Sequence, residues 1–170
     1  MRTEKKEKLV QECLIGNYGK YYRIAYSYVF QEQDAMDIVQ EAAYKAILKS
    51  DSLKQPEYVD TWVCRIVMNE AVRFLAQYRG RTVAMEEVPE EGVADHIEDV
   101  DLQAALGKLD EGERAIAVLK YFEEEKLGTI ARILDMNVNT VKSRLYRALE
   151  KMRKYMEAGG MEYEYVEEGV

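Results

Sequence analysis

Apolar residues recur at three- and four-residue spacing along most of the chain, a pattern that predicts amphipathic helices. In the first half this spacing predicts helices over Tyr18–Phe30, Asp34–Ile47 and Val59–Leu75. Asp34 is a candidate N-cap for the second of these helices. The pattern breaks at Ser50–Pro56, because a proline disfavours helical backbone at the residue before it. The first half therefore predicts a small helical bundle.

Shorter apolar stretches follow in the second half, over Leu102–Leu109, Ile116–Phe122 and Leu127–Leu134. The last is separated by the tight turn DMNV from a longer helix, for which Asn137 and Asn139 are N-cap candidates. A short helix, a tight turn and a second helix form a helix-turn-helix arrangement.

The helix after the turn is strongly basic, although the chain has a formal charge of −8. Between Asn137 and Lys154 it carries six basic residues and one acid, Glu150. A solvated surface helix is the plain alternative, because lysine and arginine are good helix formers. The concentration of positive charge behind a helix-turn favours binding to the major groove of DNA, where base edges offer hydrogen-bond acceptors.

Charge divides the chain into blocks. Residues 1–81 contain 13 basic and 11 acidic side chains, 82–113 contain 1 and 11, and 114–158 contain 10 and 6. The last twelve residues contain four acids and no base. We therefore predict an all-α fold of two small helical domains, over residues 1–81 and 102–158. An acidic flexible linker over 82–101 joins them, and an acidic tail over 159–170 follows.

The composition argues against several other classes. There is no apolar run long enough for a membrane span, and the charged start MRTEKKEKLVQE is unlike a signal peptide. We expect a cytoplasmic protein. Cys13 and Cys64 lie far apart without CxxC spacing, and His96 is the only histidine, so we expect no metal and no cofactor.

Three carboxylates, Asp34, Asp37 and Glu41, lie at spacings of three and four along one predicted helical face. Such a geometry could hold a metal or serve acid–base chemistry. However, no histidine accompanies them and no second carboxylate helix clearly faces them. We therefore expect no catalytic residues and a protein that is not an enzyme.

Two segments carry a family resemblance. TIARILDMNVNTVKSRLYRAL resembles the helix-turn-helix of region four of bacterial sigma-70-family sigma factors, and LQAALGKLDEGERAIAVLKYF resembles the helices before it. DAMDIVQEAAYKAI and TWVCRIVMNEAVRFL are similar to two consecutive helices of region two. The resemblance covers roughly residues 9–156 and lacks a region-three domain, which indicates the extracytoplasmic-function group. The chain departs from the family pattern at Thr129, Asp135 and Asn139.

The resemblance implies an alternative sigma factor that binds core RNA polymerase and directs promoter-specific initiation. The helix-turn-helix would read the distal (minus thirty-five) element and the first domain the proximal (minus ten) element. The expected distal-element residues are Thr140, Lys142, Ser143, Arg144 and Arg147. The expected proximal-element residues are Tyr58, Trp62, Asn69, Arg73 and Gln77, with the loop over 49–60 lining the pocket for a flipped base. The expected polymerase-binding residues are Asp37, Gln40 and Glu41.

The resemblance also implies an anti-sigma factor as a partner, which in this family is commonly membrane-anchored and covers both domains. The competing hypothesis is a stand-alone helix-turn-helix regulator whose first domain senses a signal or dimerises. That hypothesis accounts for the second domain equally well, but it leaves the region-two signature and the acidic linker unexplained.

Overall fold

The computed structural model describes residues 2–81 and 100–158, with side chains described for 2–78 and 101–158. Every regular element in these ranges is helical, as predicted. The helices are α1 (Thr3–Gly16), α2 (Tyr18–Val29), α3 (Glu32–Leu48), α4 (Val59–Arg81), α5 (Val100–Gly107), α6 (Glu111–Ala117), α7 (Leu127–Leu134) and α8 (Val138–Ala158). Two short 3-10 turns, Ser50–Ser52 and Pro56–Tyr58, connect α3 to α4.

The first module is a four-helix bundle in which α2, α3 and α4 pack against one another and α1 closes one side. Tyr21, Ile24 and Ala25 of α2 are buried against apolar residues of α3 and α4, among them Ile38 and Val63. The sequence pattern predicted α2, α3 and α4 but not α1. The first turns of α1 are charged, and only its second half reaches the core, where Val10, Cys13 and Leu14 are buried.

The predicted N-cap of α3 is wrong. The helix begins at Glu32, and the side chain of Gln31 caps it by accepting a hydrogen bond from the backbone N–H of Asp34 at 3.2 Å. Asp34 itself lies in the first turn, where a carboxylate interacts favourably with the positive end of the helix dipole. Burial and the nearby Asp37 raise the pKa of its carboxyl above the usual value.

The second module contains α5 to α8. Asp110 and Glu113 start α6 with a capping box, in which each side chain accepts from the other residue's backbone N–H. After Ala117 the chain continues as a single π turn over Val118–Phe122. α5 already begins at Val100, inside the segment predicted as linker; the rest of that segment and the acidic tail lie outside the described residues.

The helix-turn-helix prediction is confirmed. α7 has the predicted bounds and packs against α8 across a turn of three residues, 135–137. The side-chain oxygen of Asn137 accepts from the backbone N–H of Asn139 at 2.7 Å, so Asn137 is the N-cap of α8. Asn139 is the second residue of the helix rather than its cap.

The two modules pack directly on each other. α4 contacts α7, and α2 contacts α5, α6 and the π turn. One apolar cluster runs through both modules and includes Tyr28 and Val67 of the first with Ile116, Leu119 and Ile130 of the second. Sequence reasoning predicted the two modules but not this contact between them.

The turn between α7 and α8 depends on a left-handed residue. Asp135 ends α7 at φ 54° and ψ 53°, a conformation that costs an L-residue about 1–2 kcal/mol and costs glycine almost nothing. We expect Asp135→Gly to raise the free energy of unfolding by about 0.5–1 kcal/mol, part of the gain being offset by the greater freedom of glycine in the unfolded chain. Urea denaturation followed by circular dichroism measures this. Asp135→Ala is the matched control and should not raise the free energy of unfolding. A urea midpoint lower than that of the wild type for Asp135→Gly would contradict the strain argument.

Candidate nucleic-acid interface

The outer face of α8 is a polar and basic surface held in place by an apolar inner face. Val141, Leu145 and Ala148 are buried where α8 packs against α5, α6 and α7, which fixes the rotation of the helix. Lys142 and Arg147 are consequently exposed on the opposite side. This arrangement can present several cations to one groove of a duplex.

The five predicted distal-element residues do not all lie in equivalent positions. Lys142, Ser143 and Arg147 are exposed, and Thr140 is half-buried. The hydroxyl of Ser143 donates to the backbone carbonyl of Asn139 at 3.1 Å, one turn earlier. The structure therefore brings these four together on the front half of α8.

Arg144 differs from its neighbours. It is half-buried, and its guanidinium lies against Gly112 of α6, where a Cβ atom would come within 3.1 Å of Nη1. The absence of a side chain at Gly112 thus leaves room for Arg144. In this arrangement Arg144 connects α8 to α6.

Tyr146 is a feature of this face that sequence reasoning missed. Its side chain is 71% exposed, which is unusual for a tyrosine in a helix whose apolar residues are largely covered. It lies four residues after Lys142 and three after Ser143, so all three share one side of α8. This spacing was the signal in the sequence that could have placed Tyr146 on the basic face.

In the first module, three of the five predicted proximal-element residues follow one line along α4. Asn69, Arg73 and Gln77 are all exposed and are spaced by four residues, so they form one stripe. The guanidinium of Arg73 is 3.5 Å from the carboxylate of Glu70, which also accepts from Lys45 at 2.7 Å. Continued towards the start of the helix, the stripe reaches Arg65.

Tyr58, the last residue of the second 3-10 turn, and Trp62, in the first turn of α4, line a pocket of about 360 Å³. The predicted loop supplies Ser52, Leu53, Lys54 and Gln55, α4 adds Thr61 and Arg65, and the second module adds Arg132. Trp62 is half-buried and also packs against the core, so it serves both as a core residue and as a pocket wall. Two aromatic rings beside cationic side chains can accept an unstacked base and its phosphate.

The carboxylate face of α3 is solvent-exposed. Asp37, Gln40 and Glu41 are all exposed, and Asp37 accepts a hydrogen bond from Gln33 at 3.0 Å. Sequence reasoning missed that Tyr44 and Leu48, which are 62% and 67% exposed, lie on the following turns of the same helix. The face therefore combines acidic side chains with apolar ones.

The two cysteines are buried in a polar network near the start of α4. The thiol of Cys13 lies 3.1 Å from the hydroxyl of Tyr21, which donates to Asp60 at 2.6 Å. Burial raises the pKa of the Cys13 thiol, and it raises the pKa of the Cys64 thiol much further. Both thiols are therefore protonated at neutral pH. Within the described residues no group of histidine, cysteine and carboxylate side chains is arranged to hold a metal ion.

Sequence comparison finds the sigma-70 region 2 family over residues 14–82 and the sigma-70 region 4 family over residues 99–152. The RNA polymerase sigma factor SigV of Bacillus subtilis is 39% identical over 148 residues, covering 85% of this chain and 89% of that protein. The chain belongs to the sigma-70 family. The ECF RNA polymerase sigma factor SigW of Bacillus subtilis is 28% identical, covering 81% of this chain and 83% of its own. These relatives place the chain in the extracytoplasmic-function group.

The fold is also similar to that of two solved structures. The sigma factor RpoE of Bartonella quintana, solved in complex with the anti-sigma factor NepR, superposes with a TM-score of 0.69 at 21% identity, covering 87% of this chain and 96% of that one. CnrH, solved in complex with the cytosolic domain of CnrY, superposes with a TM-score of 0.65 at 21% identity, covering 90% and 97%.

The chain is therefore an alternative sigma factor that directs promoter-specific transcription. The alternative of a stand-alone helix-turn-helix regulator is not supported, because the first module also matches a sigma-factor region. Among the helices that the structure describes, none combines the length and apolar character needed to cross a membrane.

Proposed function

We propose that this sigma factor binds core RNA polymerase through the exposed face of α3 and reads a promoter at two points. α8 reads the distal element in the major groove, and the stripe on α4 with the Tyr58–Trp62 pocket binds the non-template strand of the proximal element. The protein acts in the cytoplasm and has no catalytic residue or cofactor of its own. The observation that carries this proposal is the pair of separate nucleic-acid-type surfaces, one on each module of a single chain.

The charge distribution on the distal-element surface supports the proposal that α8 supplies specificity while polymerase supplies most of the affinity. Lys142, Arg147 and the exposed Ser143 and Tyr146 share the front of α8, whereas the chain as a whole is acidic. Non-specific DNA affinity depends on the number of phosphates that a protein neutralises, so an acidic chain binds duplex DNA weakly alone. Arginine contacts to guanine then supply specificity once polymerase supplies affinity.

An anti-sigma factor is a further expected partner. The sigma factor RpoE, whose fold is similar, was captured with the anti-sigma factor NepR. This supports the proposal that an anti-sigma factor holds the present chain inactive until a signal releases it.

A run-off transcription assay with purified core polymerase tests the proposal. The full chain should direct core enzyme to specific start sites, while the chain alone binds the same promoter duplexes weakly. Promoters are first identified by sequencing the transcripts that appear on overexpression. Tight operator binding by the chain alone, with no chain-dependent transcript, would overturn the proposal in favour of a stand-alone regulator.

The polymerase contact leads to a separate prediction. Glu41 is exposed on the acidic face of α3 and makes no described contact that the fold requires, so Glu41→Lys should leave stability unchanged. It should weaken core-polymerase binding by roughly tenfold, because it reverses one charge on a face complementary to a basic partner. Fluorescence anisotropy of labelled sigma factor titrated with core enzyme measures this. Glu4→Lys on α1 is the matched control, and equal losses for both variants would show a general charge effect rather than docking through α3.

A further inference from the structure

Glu113 is a buried carboxylate at the start of α6, and its side chain is only 1% exposed. One of its oxygens, Oε1, accepts from the backbone N–H of Asp110 at 3.1 Å and from Nζ of Lys151 on α8 at 2.9 Å. The other oxygen, Oε2, is buried and has no hydrogen-bond partner among the residues that the structure describes. An unsatisfied buried oxygen lowers the stability of a fold, so stability alone does not explain this carboxylate.

The negative charge of Glu113 serves the pair with Lys151 rather than the capping box. Glutamine suits this position of a capping box as well as glutamate does, because its side-chain oxygen can accept the same hydrogen bond. A charge-assisted bond to a buried carboxylate is shorter and stronger than a bond between neutral groups. The end of the Lys151 side chain, although 47% of that side chain is exposed, is therefore held at one point on α6.

Arg144 makes a second contact between α8 and the same end of α6. Its Nη1 lies 3.1 Å from the position that a Cβ atom would take at Gly112, the residue before Glu113. The seven residues from Arg144 to Lys151 span about two helical turns, or about 10 Å. Arg147 lies between these two attachment points, three residues after the first and four before the second, and its side chain is exposed. The expected base-reading arginine thus projects from the segment of α8 that is attached to α6 at both ends.

We propose that Glu113 is a positioning residue for the distal element, because its pair with Lys151 fixes the fine placement of α8 and thereby of Arg147. The apolar face of α8 sets which side of the helix is covered, but hydrophobic contacts are not directional. A directional bond to a buried group is what limits the remaining roll and slide of the helix. The inference rests on the proposed function insofar as α8 reads DNA, whereas the orientation of α8 on α6 does not depend on it.

Two variants remove the pair from opposite ends. Glu113→Gln keeps the cap and removes the charge, and Lys151→Met removes the cation and keeps an unbranched side chain. We expect each variant to lower the ratio of run-off transcription between the promoter and single-base variants of its distal element by about tenfold, within the range that one good base contact supplies. The double variant should be no worse than either single one, because both act through one pair. Lys151→Arg keeps the cation and should keep the wild-type ratio.

A direct contact between Lys151 and a DNA phosphate predicts a different pattern. Lys151→Met would then lower transcription from all sequences alike and leave the ratio between them intact. Glu113→Gln makes the chain less negative, so a non-specific charge effect would raise its DNA affinity without changing the preferred base. Lys154→Met is the matched control, because it removes the same charge from an exposed position of the same helix and should keep the wild-type ratio.

The placement of α8 can also be measured without DNA. Residual dipolar couplings of the backbone amides report the orientation of α8 relative to α6 in the free chain. We expect this orientation to change in Glu113→Gln and in Lys151→Met. It should stay as in the wild type in Lys151→Arg and in Lys154→Met.

Two results would overturn the proposal: wild-type couplings in both pair-removing variants, or transcription that falls for all sequences alike with the ratio unchanged. Circular dichroism checks that each variant is folded. If Lys151→Met loses its helical signal, Glu113→Gln, which leaves no buried charge unpaired, is judged by the same two measurements. A wild-type chain that gives no transcript with core polymerase overturns the proposed function, whereas the couplings still decide whether the pair orients α8.

Discussion

Arg114→Ala is expected to destabilise the protein by about 3 kcal/mol or more. Arg114 is 7% exposed and donates to the carbonyls of Leu106 and Leu109 in its own module and of Ser27 and Tyr28 in the other. Alanine would leave buried carbonyls without donors, at about 1–3 kcal/mol for each group that water cannot reach.

The same guanidinium also packs against aromatic rings. It lies 5.8 Å from the ring centroids of both Tyr28 and Phe30, close enough for a cation–π contribution. Phe30 ends α2 in a left-handed conformation at φ 51°, and this contact helps to hold it there. Arg114 thus fixes the end of α2, the α5–α6 turn and the module contact together.

Urea denaturation followed by far-UV circular dichroism measures the loss. Arg73→Ala, which removes an exposed guanidinium from α4, is the control and should change the free energy of unfolding by less than about 0.5 kcal/mol. Arg114→Lys keeps the charge but loses the planar fork, so it should recover less than half of the lost stability. A loss below about 1 kcal/mol for Arg114→Ala would show that water satisfies those carbonyls.

Parts of the fold with strong local signals were predictable from the sequence. The bounds of α7 follow from a short apolar stretch followed by a turn, and Asn137 caps α8 because its side chain can accept from a nearby backbone N–H. α1 was missed because its first turns bear charged residues, and only tertiary packing stabilises it. The cap of α3 was placed too late because glutamine is a weaker N-cap signal than the aspartate that follows it.

The contact between the modules could not have been predicted from local pattern. Arg65 and Arg114 read as ordinary surface residues of amphipathic helices, yet both donate to backbone carbonyls of the other module. Arg144 likewise looked equivalent to Arg147 in the basic run. The two differ in the structure because Gly112 leaves space beside α6 for the side chain of Arg144. Each of these contacts joins residues more than 30 positions apart in the sequence, and the periodicity of apolar residues carries no information about such contacts.

Ion pairs hold the unpredicted contact between the modules: Arg23 pairs with Glu123, and Lys20 pairs with Glu125. These two carboxylates also add negative charge to the second module, and negative charge lowers non-specific affinity for DNA.

Arg147→Ala is expected to lower promoter-specific transcription by about 10- to 100-fold, because a good arginine contact to a base pair is worth about 1–3 kcal/mol. Arg147 is exposed on the front of α8 and makes no described contact that the fold requires, so stability and core-polymerase binding should not change. Run-off transcription from the identified promoter and from versions with single base changes in the distal element measures the effect. If Arg147 reads a base, the variant also loses discrimination at one position.

Two companion variants separate base reading from the alternatives. Lys142→Ala should weaken DNA binding to all sequences alike. It should also reduce the slope of the DNA-binding constant against salt concentration by the amount that about one phosphate contact contributes. Arg144→Ala should lower transcription less than Arg147→Ala but cost some stability, because Arg144 lies between α8 and α6. Arg153 is the control, because it lies about two turns after Arg147 and pairs with Glu150 and Glu157. Its alanine variant should transcribe normally. If Arg144→Ala instead abolished transcription in a fully stable protein, Arg144 would have to leave Gly112 and enter the groove when DNA binds.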